Sequence, residues 1–311
     1  MDVYVKAKLD HSQLNAKESI GCDGIELQLL GELAKVSYSK YSDTTELINL
    51  QDFSQYKVKV VHAPLYRGGG SLDCELEMLT ENNASALKHC FQVANYFGEI
   101  QDTDVTLVVH SMEHFKYLKD TCRWGRVVQA VNECLQEFSR VTLAIENASP
   151  IRSIENGVPI FSNNVYSSSI EMAKELRCIL KTDRVGTVLD VCHALLTDKY
   201  VTAIHNAMAD LEYSQPDTSL ARYYEMSKET LKLVHLARYT GSGYGKGRHG
   251  IAFTDDSYAM LRRILATHLH YAPECPITIE VEENNYLKCD GYRNTKKLLE
   301  EALDELGHST I

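Results

Sequence analysis

Eight short apolar runs of strand type recur along this chain, and stretches with apolar residues at helical spacing lie between most of them. The runs are Val3–Leu9, Gly24–Leu30, Val58–Pro64, Asp104–His110, Val141–Asn147, Gly186–His193, Leu231–Leu236 and Ile277–Glu282. Most are rich in Val, Ile and Leu, the pattern of a strand buried on both faces. The helical stretches are Ser12–Ile20, Leu76–Phe97, Arg126–Phe138, Ile170–Leu180, Ser257–Leu269 and Lys296–Leu306. In Arg126–Phe138, the residues Val127, Val128, Val131, Leu135 and Phe138 form one stripe. Strands alternating with helices predict a parallel sheet. Eight of them in 311 residues predict an α/β chain folded as a (β/α)8 TIM barrel, a single domain over 1–311. A doubly wound open sheet is the alternative, and no G-x-G-x-x-G follows the first strand to make it a dinucleotide fold.

Ionisable residues collect where these runs end. The third ends in His62, the fourth in His110, the fifth in Glu146 and the sixth in Asp190 and His193; His235 and Glu280 close the seventh and eighth. In a parallel barrel these ends converge on one mouth. One such histidine is ordinarily a satisfied core residue. Six consecutive strands delivering His, Asp or Glu to one mouth would bury titratable groups at high cost without a compensating cation. Imidazole and carboxylate together suit a divalent metal: Zn, Mn, Fe or Co. One ion is the expectation, with two or three as the alternative.

Three stretches exceed ordinary connections: 150–169, 197–228 and 239–256. Each is expected at the C-terminal face, as a substrate wall or lid. The third contains Tyr239–Gly250, with five Gly among twelve residues. Lys246, Arg248 and His249 in it are candidate substrate-binding groups, because Lys and Arg suit phosphate or carboxylate. It is not a Walker motif, since Gly245-Lys246 is not followed by Ser or Thr. Arg67–Gly70 after the third strand is a second Gly-rich turn able to approach a phosphate.

Composition narrows the partners. A formal net charge of −11 gives no basic character overall, so duplex nucleic acid is not expected and only a local basic patch would admit it. The nine Cys show no paired framework and read as mostly reduced and buried in a cytoplasmic protein. No apolar run approaches a membrane span, and the N-terminus has no signal-peptide pattern. A homo-oligomer stays open.

The strand-end series resembles the xylose-isomerase-like TIM barrel superfamily, which contains sugar isomerases and epimerases and also endonuclease IV. The resemblance spans Val3 to about Leu303 and includes Gly21-Cys-Asp-Gly-Ile-Glu26-Leu27 on the second strand. It implies that Glu146, Asp190, His235 and Glu280 ligate one metal ion, and that His193 and Arg248 contact substrate. Local motifs also resemble endonuclease IV: His62-Ala-Pro, His110, Glu146-Asn, Leu-Asp190-Val-Cys-His193 and Arg248-His249. That family holds three zinc ions with nine side chains. Eight have counterparts here: His62, His110, Glu146, Asp190, His193, His235, His249 and Glu280. The ninth position, an Asp in the family, is Gly247.

The expected function is therefore metal-dependent isomerisation or epimerisation of a small polyhydroxylated, sugar or sugar-phosphate-like substrate. Glu146 and Glu280 would move the proton, one as base and one as acid. His193 would hold and polarise substrate oxygens, with Arg248, Lys246, His249, His62 and His110 as the substrate-binding set. His62, His110, His193 and His249 are alternatively further metal ligands. A multinuclear phosphodiesterase is the second reading, and a non-catalytic metal-binding barrel the third.

Overall fold

The computed structural model describes residues 1–29, 50–64, 76, 81–111, 113–148, 151–155, 158–161, 168–207, 219–240, 248–283 and 285–308. Among them, eight parallel strands close into a barrel: β1 (Val3–Lys8), β2 (Gly24–Gln28), β3 (Val58–His62), β4 (Val105–His110), β5 (Val141–Glu146), β8 (Val185–Asp190), β9 (Leu231–Leu236) and β12 (Ile277–Ile279). Seven fall inside the expected runs, and β8 begins one residue before its run. Around the ring the order is β1-β12-β9-β8-β5-β4-β3-β2. The open-sheet alternative is thereby excluded.

Helices cover the outside: α1 (His11–Glu18), α2 (Glu81–Gln101), α3 (Phe115–Lys119), α4 (Cys122–Glu137), α5 (Ser168–Leu180), α6 (Val191–Ala207), α7 (Leu220–Ser227), α8 (Tyr258–Tyr271) and α9 (Asp290–His308). The stripe of α4 is buried at Trp124, Val127, Val131, Cys134 and Leu135. Each fully buried side chain of this kind contributes about 1.5–3 kcal/mol.

Two apolar layers result from the two faces of the strands. One lies between sheet and helices. The other fills the barrel with Tyr4, Val60, Val108, Ala144, Val188 and Leu233. Side chains alternate along a strand, so the residues two places further on point inward as well. Those residues are Lys6, His62, His110, Glu146, Asp190 and His235. The apolar interior thus forms the floor, and a polar layer lies directly above it. Register aligns that layer: Lys6 is level with Glu26, His110 with Glu146, and Asp190 with His235.

One expectation about the strands needs correction. His193 is not the end of a strand: β8 stops at Asp190 and α6 begins at once. The physical reason is a cap, since the His193 backbone N–H donates to Asp190 Oδ1 at 2.7 Å. The stretch 150–169 carries a hairpin, β6 (Ile151–Glu155) with β7 (Val158–Phe161), and the start of α5. The stretch 197–228 carries the rest of α6 and all of α7. In 239–256, the short strand β10 (Arg238–Thr240) pairs antiparallel with β11 (Arg248–Ile251). Arg67–Gly70, Lys246 and Gly247 lie outside the described residues. All described cysteines are free, and Cys90, Cys134, Cys192 and Cys289 are buried. No helix is long and apolar enough to cross a membrane among the described residues.

Candidate metal centre

Glu146, at the C-terminal end of β5, is the hub of the polar layer. Three imidazole nitrogens approach its Oε2: His110 Nε2 at 3.1 Å, His62 Nε2 at 3.2 Å and His235 Nδ1 at 3.4 Å. Burial pushes the Glu146 carboxyl up, but the imidazoles of His110 and His235 outweigh it and hold the group well below the usual carboxylate range.

His235 is flanked by carboxylates on both ring nitrogens. Its Nε2 lies 2.9 Å from Glu26 Oε2, and its Nδ1 lies 2.8 Å from Glu280 Oε2. Burial works against a charged ring there, yet Glu26, Glu146 and Glu280 together raise it well above the ordinary histidine value. Against its own burial, His235 and Lys6 bring Glu26 down to about 2. Lys6, on β1, closes the group at 2.6 Å from Glu280 Oε1 and 3.1 Å from Glu26 Oε1.

Asp190 uses its two oxygens differently. Oδ1 caps α6, and Oδ2 lies 3.0 Å from His249 Nε2. Burial lowers His249, but Asp190 more than compensates and raises it to about 9. The rings of His193 and His249 stack with centroids 4.6 Å apart. His193 Nδ1 donates to the Asn147 carbonyl at 2.7 Å, which leaves Nε2 as the lone-pair nitrogen. Asn147 also holds the Asp190 backbone, accepting from its N–H at 2.7 Å and donating to its carbonyl at 3.0 Å.

The donor set fits divalent metal. Ligand atoms of Glu146, Asp190, His235 and Glu280 lie within 4.8 Å of one another. So do those of His62, His110 and Glu146, and those of Asp190, His193 and His249. The protonation pattern agrees. His62 Nδ1 is 2.8 Å from the Ala63 carbonyl, which can only accept, and 3.2 Å from Gln28 Nε2; the shorter contact favours a neutral ring with its proton on Nδ1. Burial, helped by Lys6, pushes His62 below its ordinary value. Its Nε2 lone pair then faces a carboxylate oxygen, an arrangement that a cation between them would relieve. His235 Nδ1 and Glu280 Oε2 are likewise buried without an aligned hydrogen bond. A field that attracts a proton to His235 attracts a divalent cation more strongly.

A family model described as xylose isomerase-like TIM barrel matches residues 14–308. The chain belongs to the xylose isomerase-like TIM barrel family. No curated protein matches it by sequence. Solved structures similar to this xylose isomerase-like barrel include an apo 3-keto-D-glucoside 4-epimerase from E. coli, 12% identical, with a TM-score of 0.53 over 97% of this chain and 99% of that one. An L-ribulose 3-epimerase is 12% identical with a TM-score of 0.51, covering 100% of this chain and 98% of that one. A D-allulose 3-epimerase from Methylomonas sp., in complex with D-allulose, is 13% identical with a TM-score of 0.50 over 99% and 96%. At such identities the likeness is one of fold.

Of the residues singled out from sequence, Glu146, Asp190, His235, Glu280, His62, His110, His193 and His249 all meet in this layer. His249 was expected on a loop outside the metal quartet; it stands on β11 in contact with Asp190. Arg248 is placed by its backbone opposite Thr240. Sequence reasoning missed Lys6 and Gln28, and treated Glu26 and Asn147 only as parts of motifs. Lys6 follows the floor residue Tyr4 by two places, and Glu26 is level with Lys6 across β1 and β2.

Proposed function

We propose that this barrel is a metal-dependent isomerase or epimerase of a small polyhydroxylated substrate. The observation that carries the reading is the Glu146–Asp190–His235–Glu280 quartet beside a cavity of about 420 Å³ whose border includes the polar groups of Lys6, Lys8, Gln28, His249, Glu280 and Tyr286. Its size and its hydrogen-bonding rim suit a sugar-sized molecule better than an apolar ligand. The acidic balance of the chain argues against a polyanion.

In this reading the quartet holds the primary ion, and His62, His110 and Glu146 hold a second. The orientation of the His62 lone pair extends the expectation from one ion to two. When bound, a divalent ion supplies the Lewis acid that makes a C–H beside a substrate carbonyl acidic. Glu146 ends β5 and Glu280 directly follows β12, strands three places apart around the ring. Both are held ionised in the resting protein, so either can take the proton from carbon, and its counterpart must first gain a proton from solvent before it can return one to the opposite face. Glu280 keeps that state against burial through Lys6 and His235. His193 presents Nε2 to substrate oxygens, and His249 stands beside it on the binding side.

Protein loaded with Mn²⁺ or Co²⁺ and incubated with ketohexoses and their phosphates in D₂O tests this. Deuterium should enter at the carbon beside the carbonyl, with an epimer or isomer forming. Absence of exchange across the panel rejects the reading. The second reading, phosphoester hydrolysis, is favoured by the convergence of His62 and His110 on Glu146, which suits two ions flanking one phosphoryl group. Release of nitrophenol from bis(4-nitrophenyl) phosphate, without deuterium exchange, would put it first.

A further inference from the structure

Four charged or ionisable side chains from adjacent strands form a closed ring. Lys6 meets Glu280 at 2.6 Å, Glu280 meets His235 at 2.8 Å, His235 meets Glu26 at 2.9 Å, and Glu26 returns to Lys6 at 3.1 Å. They come from β1, the end of β12, β9 and β2, which are neighbours in the barrel. Lys6 is the sole ammonium of the ring and is buried, with 10% of its side chain exposed. It engages Glu280 through Oε1 alone, while Oε2 of the same carboxylate faces His235.

We infer that Lys6 is a built-in counter-charge that limits how tightly the quartet holds its ion. The inference rests on the metal-dependent reading above. Two physical effects point the same way. Lys6 occupies one oxygen of Glu280, which keeps that ligand from turning both oxygens to the ion. It also places a positive charge one carboxylate away from a divalent cation, where the protein interior screens poorly. The chain therefore donates less net negative charge to the ion, which stays more electrophilic and easier to exchange. Lys6 acts through Glu280 and Glu26, so it is a positioning residue.

The direction of the effect separates this role from a structural one. Removing a structural strut loosens the ligands and weakens binding. Removing a counter-charge strengthens binding, because a divalent ion gains twice what a competing proton gains. The test uses full-length protein stripped of metal and titrated with Co²⁺ alone, in competition with a chelator of known affinity, and with the visible Co²⁺ spectrum recorded. Lys6→Met should hold its tightest equivalent of Co²⁺ about tenfold or more tightly than wild type. Its visible band should weaken as Glu280 adds a second oxygen and coordination rises. Lys6→Arg, which keeps the charge, should stay within about threefold of wild type. Lys6→Gln carries the same expectation as Lys6→Met and replaces it if circular dichroism shows that variant unfolded. Unchanged or weaker binding in the folded neutral variant overturns the inference while leaving the metal reading intact. Equal tightening in Lys6→Arg overturns it too, since charge is then not the cause. Failure of wild type to bind Co²⁺ overturns the metal reading, and the inference with it.

Discussion

His62 presents Nε2 to Glu146 Oε2 at 3.2 Å while its Nδ1 donates to the carbonyl of its own neighbour, Ala63. The ring is fixed at both ends, and its lone pair is aimed at a carboxylate. His62→Ala should therefore release one ion and leave the quartet's ion in place. Elemental analysis of wild type and variant, each purified without added metal and then loaded with Zn²⁺, reads this directly. Identical metal content in the two proteins would remove the second position.

Glu146 belongs to both ligand groups. Glu146→Gln keeps the shape but withdraws the charge that three imidazoles share. Metal occupancy should fall by about tenfold or more and turnover should vanish. The metal-free variant should melt below metal-free wild type, a loss of about 3 kcal/mol, because it leaves the buried His235 imidazole without one of its compensating carboxylates. His249→Ala, by contrast, removes a partner of Asp190 that stands outside the quartet, so it should lower activity and keep the primary ion. Equal metal loss in the two variants would make His249 a primary ligand.

His268 on α8 gives a pH dependence unconnected with the metal. Its Nε2 donates to the Cys275 carbonyl at 3.1 Å, and its Nδ1 lies 3.0 Å from Tyr224 Oη, which donates to it. Burial lowers the imidazole from 6.5 to about 4. The unfolded chain takes up this proton near pH 6.5 and the folded chain only near pH 4. The contribution is thus full above 6.5 and is lost as pH falls through that window, by roughly 3 kcal/mol in all. Denaturant melts should show the stability gap between wild type and His268→Gln shrinking from pH 7 to pH 4.5. A gap independent of pH would contradict the assignment.

Gly186 lies in β8, four residues before Asp190. A Cβ there would overlap the backbone oxygen of Thr230 and the side chain of Lys232 on β9. Lysine can move, but the backbone oxygen accepts from Thr187 N at 2.8 Å and is held. Gly186→Ala should destabilise by about 1–3 kcal/mol. It should also lower metal affinity, since the shift propagates to Asp190. An unchanged melting temperature would show that the strands part without cost.

The sequence by itself determined the barrel, because an inward and an outward apolar face leave a strand no polar side and so write it as a continuous apolar run. It also determined the ligand candidates, since a carboxylate or imidazole after such a run is conspicuous. Lys6 and Glu26 were not conspicuous: each lies inside its run, and a charge in an apolar stretch looks like an outward-facing residue until the register is known. Only the tertiary structure decided that both point inward, because strand pairing sets which of the two alternating faces closes on the barrel axis. The same holds for His193 and His249. A hydrogen bond from the backbone of His193 to Asp190 ends the strand and starts a helix there. Pairing of Arg238–Thr240 with Arg248–Ile251 brings His249 back over Asp190. Such contacts join residues far apart in the chain or turn on the choice of a single cap, and neither leaves a periodic mark in the sequence.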